Sequence, residues 1–233
     1  MGISRYLAMT RSELEAFSLT QGHAPAYMAC HFSPYSTGLS NIPASLPDGA
    51  MVILNDRTPI YGHDPQQIAR QITDVTERTH CSCVLLDFER PGYEETKRLC
   101  EFLIANLSCP VGVSALYAEG TDCPVFLPPV PMDMTLGDYL APWQGRQVWL
   151  DIAPEAVCVS VTEAGSRFSP MAGSSPPENA FFDDALHCHY RSEVLDDRIH
   201  FYLWRDLASL IEEADALGVA KCIGLYQELC SGK

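Results

Sequence analysis

The stretch CVLLDFERP (83–91) ends an apolar run in two carboxylic acids, Asp87 and Glu89, spaced two residues apart. On an extended strand, residues two apart point to one face. Two carboxylates side by side repel, so one of them is expected to hold its proton near neutral pH. A protonated acid beside an ionised one is the pair that cleaves glycosidic bonds. A plainer reading is that one carboxylate pairs with Arg90 or Arg57 and caps the sheet. Paired carboxylates cost stability unless compensated, which favours the chemical reading.

Other residues with chemical potential also end apolar runs. Asp56 (in ILNDR), Asp151 (in WLDIAPE) and Glu228 (in GLYQE) could line the same mouth, and each is equally open to reading as a loop cap. Tyr117 ends VGVSALY and is either a sugar-stacking platform or a core edge. His187 and His189 in HCHYRSE share one strand face as a metal site would require. Two half-buried, hydrogen-bonded histidines is the reading preferred there. Cys81 and Cys83 also share a face, but two sulfurs without further ligands do not make a zinc site. The chain has no CxxC and no Gly-x-Ser-x-Gly elbow, so no metal and no cofactor is implied.

What must position these residues is a repeated unit of short apolar run, loop and helical pattern. The runs at 27–33, 51–56, 83–89, 111–117, 148–153, 156–163 and 221–226 read as strands, several of them apolar on both faces as covered parallel strands are. Asp64-Pro65 starts a helix with Ile68, Ile72 and Val75 on one stripe. Leu99, Phe102, Leu103 and Leu107 mark a second. Leu207, Leu210, Ile211, Ala214 and Leu217 mark a third, ended by Gly218. Its acidic residues Glu212, Glu213 and Asp215 read as a solvated outer face. Thr10 with Glu13 offers a capping box for an opening helix.

This alternation means a parallel sheet, doubly wound or closed into a barrel. The missing dinucleotide and P-loop fingerprints weaken the doubly wound option. The expected fold is therefore α/β, a compact or partly irregular (β/α)8 TIM barrel. A β-hairpin insertion is expected near 148–168, because few residues separate the runs at 148–153 and 156–163. The Pro-rich stretch 122–142 and the segment 164–180 read as irregular.

Thirty Asp+Glu stand against 15 Lys+Arg, a formal charge of −15 over 233 residues. That balance argues against nucleic acid and an anionic membrane as partners. One domain spanning 1–233 is the expected organisation. No signal-peptide core and no membrane-span-length apolar stretch is present. With ten cysteines placed largely in apolar runs, a reduced, cytoplasmic protein is the expectation. Oligomeric state has no signature in the chain.

The run CVLLDFE resembles the end of the Asp-Gly-x-Asp-x-Asp-x-Glu signature of glycoside hydrolase family 18, the chitinase-like TIM barrels. It is most similar to the spore-cortex-lytic type, whose strand ends in Asp-Phe-Glu. The stretch IHFYLWRDLASLIEEADALGVAKCIGLYQEL resembles the family's closing strand, helix and strand. The resemblance implies that Glu89 matches the proton donor to the glycosidic oxygen. Asp87 then matches the carboxylate that orients the 2-acetamido group, whose oxygen attacks the anomeric carbon. The signature's first Asp falls on Ser82 and its second on Leu85, while the last-strand Trp falls on Gln227. Tyr226 could replace that Trp only if the strand is shifted by one residue. The resemblance implies a carbohydrate ligand, and either hydrolysis of β-linked N-acetylhexosamine glycans (chitin oligomers or peptidoglycan) or an inactive barrel that binds carbohydrate or protein. It also admits a spore-associated setting.

Overall fold

The computed structural model describes residues 2–17, 22–60, 62–91, 94–162, 165–171, 175–195 and 198–230. Its strands are β1 (Ser4–Met9), β2 (Ala24–Phe32), β3 (Leu39–Ser40), β4 (Met51–Asn55), β5 (Cys83–Asp87), β6 (Val111–Ser114), β7 (Val125–Leu127), β8 (Val148–Asp151), β9 (Ala156–Thr162), β10 (Gly165–Pro170), β11 (Phe181–Asp183), β12 (Cys188–Leu195), β13 (Arg198–Arg205) and β14 (Lys221–Leu225). The helices are α1 (Arg11–Ala16), α2 (Pro65–Thr79), α3 (Glu94–Asn106), α4 (Leu136–Leu140), α5 (Leu207–Ala216) and α6 (Tyr226–Cys230).

Eight parallel strands, β1, β2, β4 to β8 and β14, follow one another around a sheet that β1 closes by pairing with both β2 and β14. The expected α/β (β/α)8 barrel is the observed one. Its interior is filled by alternate residues of those strands: Tyr6, Ala8, Ala26, Met51, Ile53, Cys83, Leu85, Phe126, Trp149 and Ile223. A Cβ at Gly112 would lie 2.3 Å from Cζ3 of Trp149, so glycine is what lets that indole lie across the barrel. Among the described residues, no helix is long and apolar enough to cross a membrane. The ten thiols are unpaired, and Cys30, Cys83, Cys100, Cys188 and Cys222 are buried as core filler.

The helices begin where the sequence signals them. Asp64 accepts from the Gln66 amide (3.0 Å) ahead of Pro65, and α2 buries Ile68, Ile72 and Val75. The Thr10 amide donates to Glu13 Oε2 (2.7 Å) at the start of α1.

By chain contacts the molecule divides into two units. One comprises 1–128, 145–151 and 219–233, and holds the whole barrel. The other comprises 129–144 and 152–218, and holds an antiparallel sheet of order β10-β9-β13-β12-β11 with α4 and α5.

Several details differ from expectation for physical reasons. The hairpin near 148–168 exists as β9 with β10, whereas β8 pairs in parallel with β7 and β14 and belongs to the barrel. The insertion grows beyond a hairpin because β13 pairs with both β9 and β12. Within 122–142, the three residues of β7 form a barrel strand despite the flanking prolines. Within 164–180, residues 165–170 form β10, while 164 and 172–174 lie outside the described residues, as does Glu163 at the end of the run 156–163. The strand 198–205 in the resembling C-terminal stretch belongs to the antiparallel sheet, and only β14 closes the barrel.

Candidate functional site at the barrel mouth

Strand parity carries acids to the mouth. Register places Met51 opposite Cys83, Ile53 opposite Leu85 and Asn55 opposite Asp87. Because Met51, Ile53, Cys83 and Leu85 fill the interior, Asn55 and Asp87 are the next inward step at the strands' carboxyl ends. Barrel enzymes place their active sites at that end.

Asp87 has a carboxyl pushed up from its ordinary value of 3.8 to about 7. Burial is the main cause, and the negative charges of Glu89 and Asp56 add to it, while the Ser114 hydroxyl opposes it. Ser114 Oγ lies 3.1 Å from the Leu86 carbonyl and 3.5 Å from Asp87 Oδ1, and accepts from the Phe88 amide at 2.9 Å.

The loop carrying Glu89 is held from several sides. Asp56, only 6% exposed, accepts the backbone amides of Glu89 (3.2 Å) and Arg90 (2.9 Å). The Tyr117 hydroxyl donates to the Arg90 carbonyl, and Arg90 Nη2 donates to the Arg57 carbonyl (2.8 Å). Phe88 is fully buried between Phe32 (ring centroids 5.6 Å apart) and Tyr117 (6.3 Å). Glu89 itself is exposed. The loop thus holds the exposed Glu89 side chain beside a carboxyl raised to about 7. No ion pair joins Asp87 or Glu89 to Arg57 or Arg90 among the described residues, so the plain capping arrangement is not the one observed.

The remaining candidates fall at different places. Asp56 faces the Glu89 loop rather than an open pocket. Tyr117 is 7% exposed in a single 3-10 turn after β6, with its ring against Phe88 and its hydroxyl engaged. Asp151 ends β8, half-buried and hydrogen-bonded or charge-paired within the fold. The expected strand 221–226 stops at Leu225. Tyr226, Gln227 and Glu228 lie on α6, with Gln227 and Glu228 exposed. The Tyr226 ring meets Phe17 edge-on at 6.1 Å. At the signature's two departed positions, Ser82 Oγ is 3.0 Å from the Tyr6 hydroxyl, and Leu85 is fully buried in the barrel interior.

His187 and His189 lie in the other unit. His187 Nδ1 is 2.6 Å from Ser209 Oγ and its Nε2 bonds Glu213, while His189 Nε2 is 3.7 Å from Asp206. Glu213 is therefore not part of a purely solvated face. Among the described residues no three His, Cys, Asp or Glu side chains converge as a metal site would require.

Reasoning from strand ends alone passed over Ser114, Asn55 and His31. Ser114 and Asn55 close apolar runs with inward parity, a signal present in VGVS and VILN. His31 has no such signal, because a bulge in β2 sets its direction.

The barrel is similar to solved structures of carbohydrate enzymes. The spore cortex-lytic enzyme SleL of Bacillus cereus superposes with a TM-score of 0.58 at 9% identity, covering 95% of this chain and 70% of that one. A chitinase from Chromobacterium violaceum gives 0.55 at 10% identity, with 96% and 93% covered. A family GH18 chitinase from Cycas revoluta in complex with allosamidin gives 0.57 at 10% identity, with 94% of each chain covered. The shared fold is the (β/α)8 TIM barrel. No family model and no curated protein matches the chain. At such identities the likeness concerns the fold alone.

Proposed function

We propose that the chain acts on β-linked N-acetylhexosamine glycans by substrate-assisted acid/base catalysis. Glu89 gives its proton to the leaving glycosidic oxygen and later takes one from the attacking water. Asp87 holds the 2-acetamido group while its oxygen attacks the anomeric carbon. The observation that carries this reading is the Asp87 carboxyl, protonated to about pH 7 at the mouth of a barrel, beside the exposed Glu89. Structural neighbours that hold N-acetylglucosamine trimers and tetramers support a glycan as ligand.

Glu89→Gln removes the proton donor while keeping its shape. Hydrolysis of a fluorogenic chitobioside or of peptidoglycan strands is expected to fall by about 10²–10⁴. Turnover unchanged by that substitution would refute the role.

A second reading, an inactive barrel that binds carbohydrate, is favoured by Leu85. Where the signature has a second carboxylate to help set the protonation of the Asp87 position, this chain has a buried hydrocarbon. A thermal shift with N-acetylglucosamine oligomers, without turnover by the unaltered protein on any such glycan, would select it.

A further inference from the structure

The inserted sheet β10-β9-β13-β12-β11 sorts its residues by face. Residues directly opposite one another on antiparallel strands share a face, and the face alternates along each strand. One face carries Arg167, Arg191, Glu193 and Arg198, with Arg191 and Glu193 paired at 3.7 Å. The other carries three cross-strand rows, centred on Leu203 with Val157, Phe201 with Val159, and Ile199 with Val161. Followed outward by register, those rows reach Phe181 on β11 and Phe168 on β10 and contain no charged residue.

A sheet patterned this way has one face for solvent and one for a core. Here the apolar face is left open. Phe181 is 65% exposed, Val194 70%, Phe168 47% and Ile199 45%, and of the six central side chains only Val159 is buried.

The size and chemistry of the face indicate what covers it. Four or five strands about 4.8 Å apart, over three rows each about 6.8 Å deep, span roughly 400 Å² in projection. Side-chain relief brings the accessible area above that figure, toward the about 800 Å² that each partner gives to a standard interface. An acidic chain of formal charge −15 repels its own copies, and least where its surface is uncharged. A face without charge offers a charged partner nothing to pair with, yet meets an identical face without desolvating an ion. A two-fold contact asks only that one patch fit itself. The relief suits that. Strand β9 presents only valines on this face, and Val159 lies opposite both Phe168 and Phe201. The valines form a furrow between phenylalanine ridges, as stacked sheets need to interleave about 10 Å apart.

We propose that this face is the interface of a homodimer, with two inserted sheets packed face to face about a two-fold axis. The proposal is independent of the glycan reading.

Sedimentation velocity of the full chain tests it. At about 50 μM the unaltered protein is expected at twice 25.7 kDa, since interfaces of standard size hold at micromolar concentrations or below. Val194→Lys combined with Ile199→Lys places charges on a cross-strand pair that solvent reaches in the monomer. That variant should keep the far-ultraviolet spectrum of the unaltered chain. Its dimer affinity should fall at least about a hundredfold, because each ammonium would be buried unpaired. Phe181→Lys, on an edge strand, is a second substitution that does not touch that pair and should weaken the dimer in the same direction. Arg167→Ala, on the opposite face, should leave the mass unchanged. An unaltered chain that stays monomeric at that concentration overturns the proposal. A dimer that survives both lysine variants, or one that Arg167→Ala dissociates, overturns the assignment to this face.

Discussion

The barrel and the inserted antiparallel unit use their ionisable groups in opposite ways. At the barrel mouth, Asp56, Asp87 and Glu89 crowd together, and burial with like charge drives the Asp87 carboxyl to about 7. In the inserted unit several such groups meet complementary partners. His187 is fixed between Ser209 and Glu213, and its carbonyl takes the Asp206 amide at 2.8 Å. Asp206 caps α5 by accepting from Ala208 and Ser209. Arg205, with a side chain 2% exposed, donates to the carbonyls of Leu186 and Val130 at 2.7 Å and lies 3.9 Å from Glu155. One set of charges works against the fold and the other for it. Groups arranged at the expense of stability are the ones a function retains.

Substitution of Asp87 and of His187 should therefore move stability in opposite directions, and the largest effect belongs to Asp87. Its carboxyl binds a proton in the folded chain up to about pH 7 but only up to about 4 when unfolded. Between those values the folded state holds more protons, so Asp87 makes the fold progressively less stable as pH rises through that window. Asp87→Asn should raise the melting temperature at pH 8, by at most about 4 kcal/mol of stability, with the advantage gone by pH 4. Thermal unfolding across that range checks the sign, and a variant less stable at pH 8 would break the contrast.

His187→Ala tests the other side. It strands Ser209 and a half-buried Glu213, and should cost about 2–3 kcal/mol in chemical unfolding. A neutral result would mean that the inserted unit does not depend on this lock. The smallest effect is expected for Asp56→Asn, which loses one of two amide contacts for about 1 kcal/mol. The same change removes a negative neighbour of Asp87, so it should also lower the pH at which Asp87 titrates, readable by carboxyl NMR.

Much of the barrel was legible because parallel strands covered on both faces are short apolar runs, and Asp87 and Glu89 stood out because they end one. The closing strand β1 was not legible. Its sequence SRYLAM is weakly patterned, and its partners β2 and β14 include the far end of the chain. The strand β7 was hidden by flanking prolines that a three-residue strand tolerates at its ends. At the site, Tyr226 was misplaced because β14 turns into α6 one residue early, and Glu228 went with it. His31 was invisible because one extra residue in β2 inverts which side chains face inward, and nothing in AYMACHF marks the bulge. The hydrophobic pattern therefore locates the mouth, but a non-local pairing decides which neighbours line it.

At the barrel mouth everything turns on a carboxyl, Asp87, that keeps its proton to about pH 7 beside the exposed Glu89. Carbon-13 NMR of the Asp87 side chain, titrated in the unaltered protein and in Glu89→Gln, measures it directly. A midpoint of about 7 is expected in the unaltered chain and a lower one, still above 4, in Glu89→Gln, because burial remains the larger cause. An Asp87 that titrates near 4 in both proteins would contradict it.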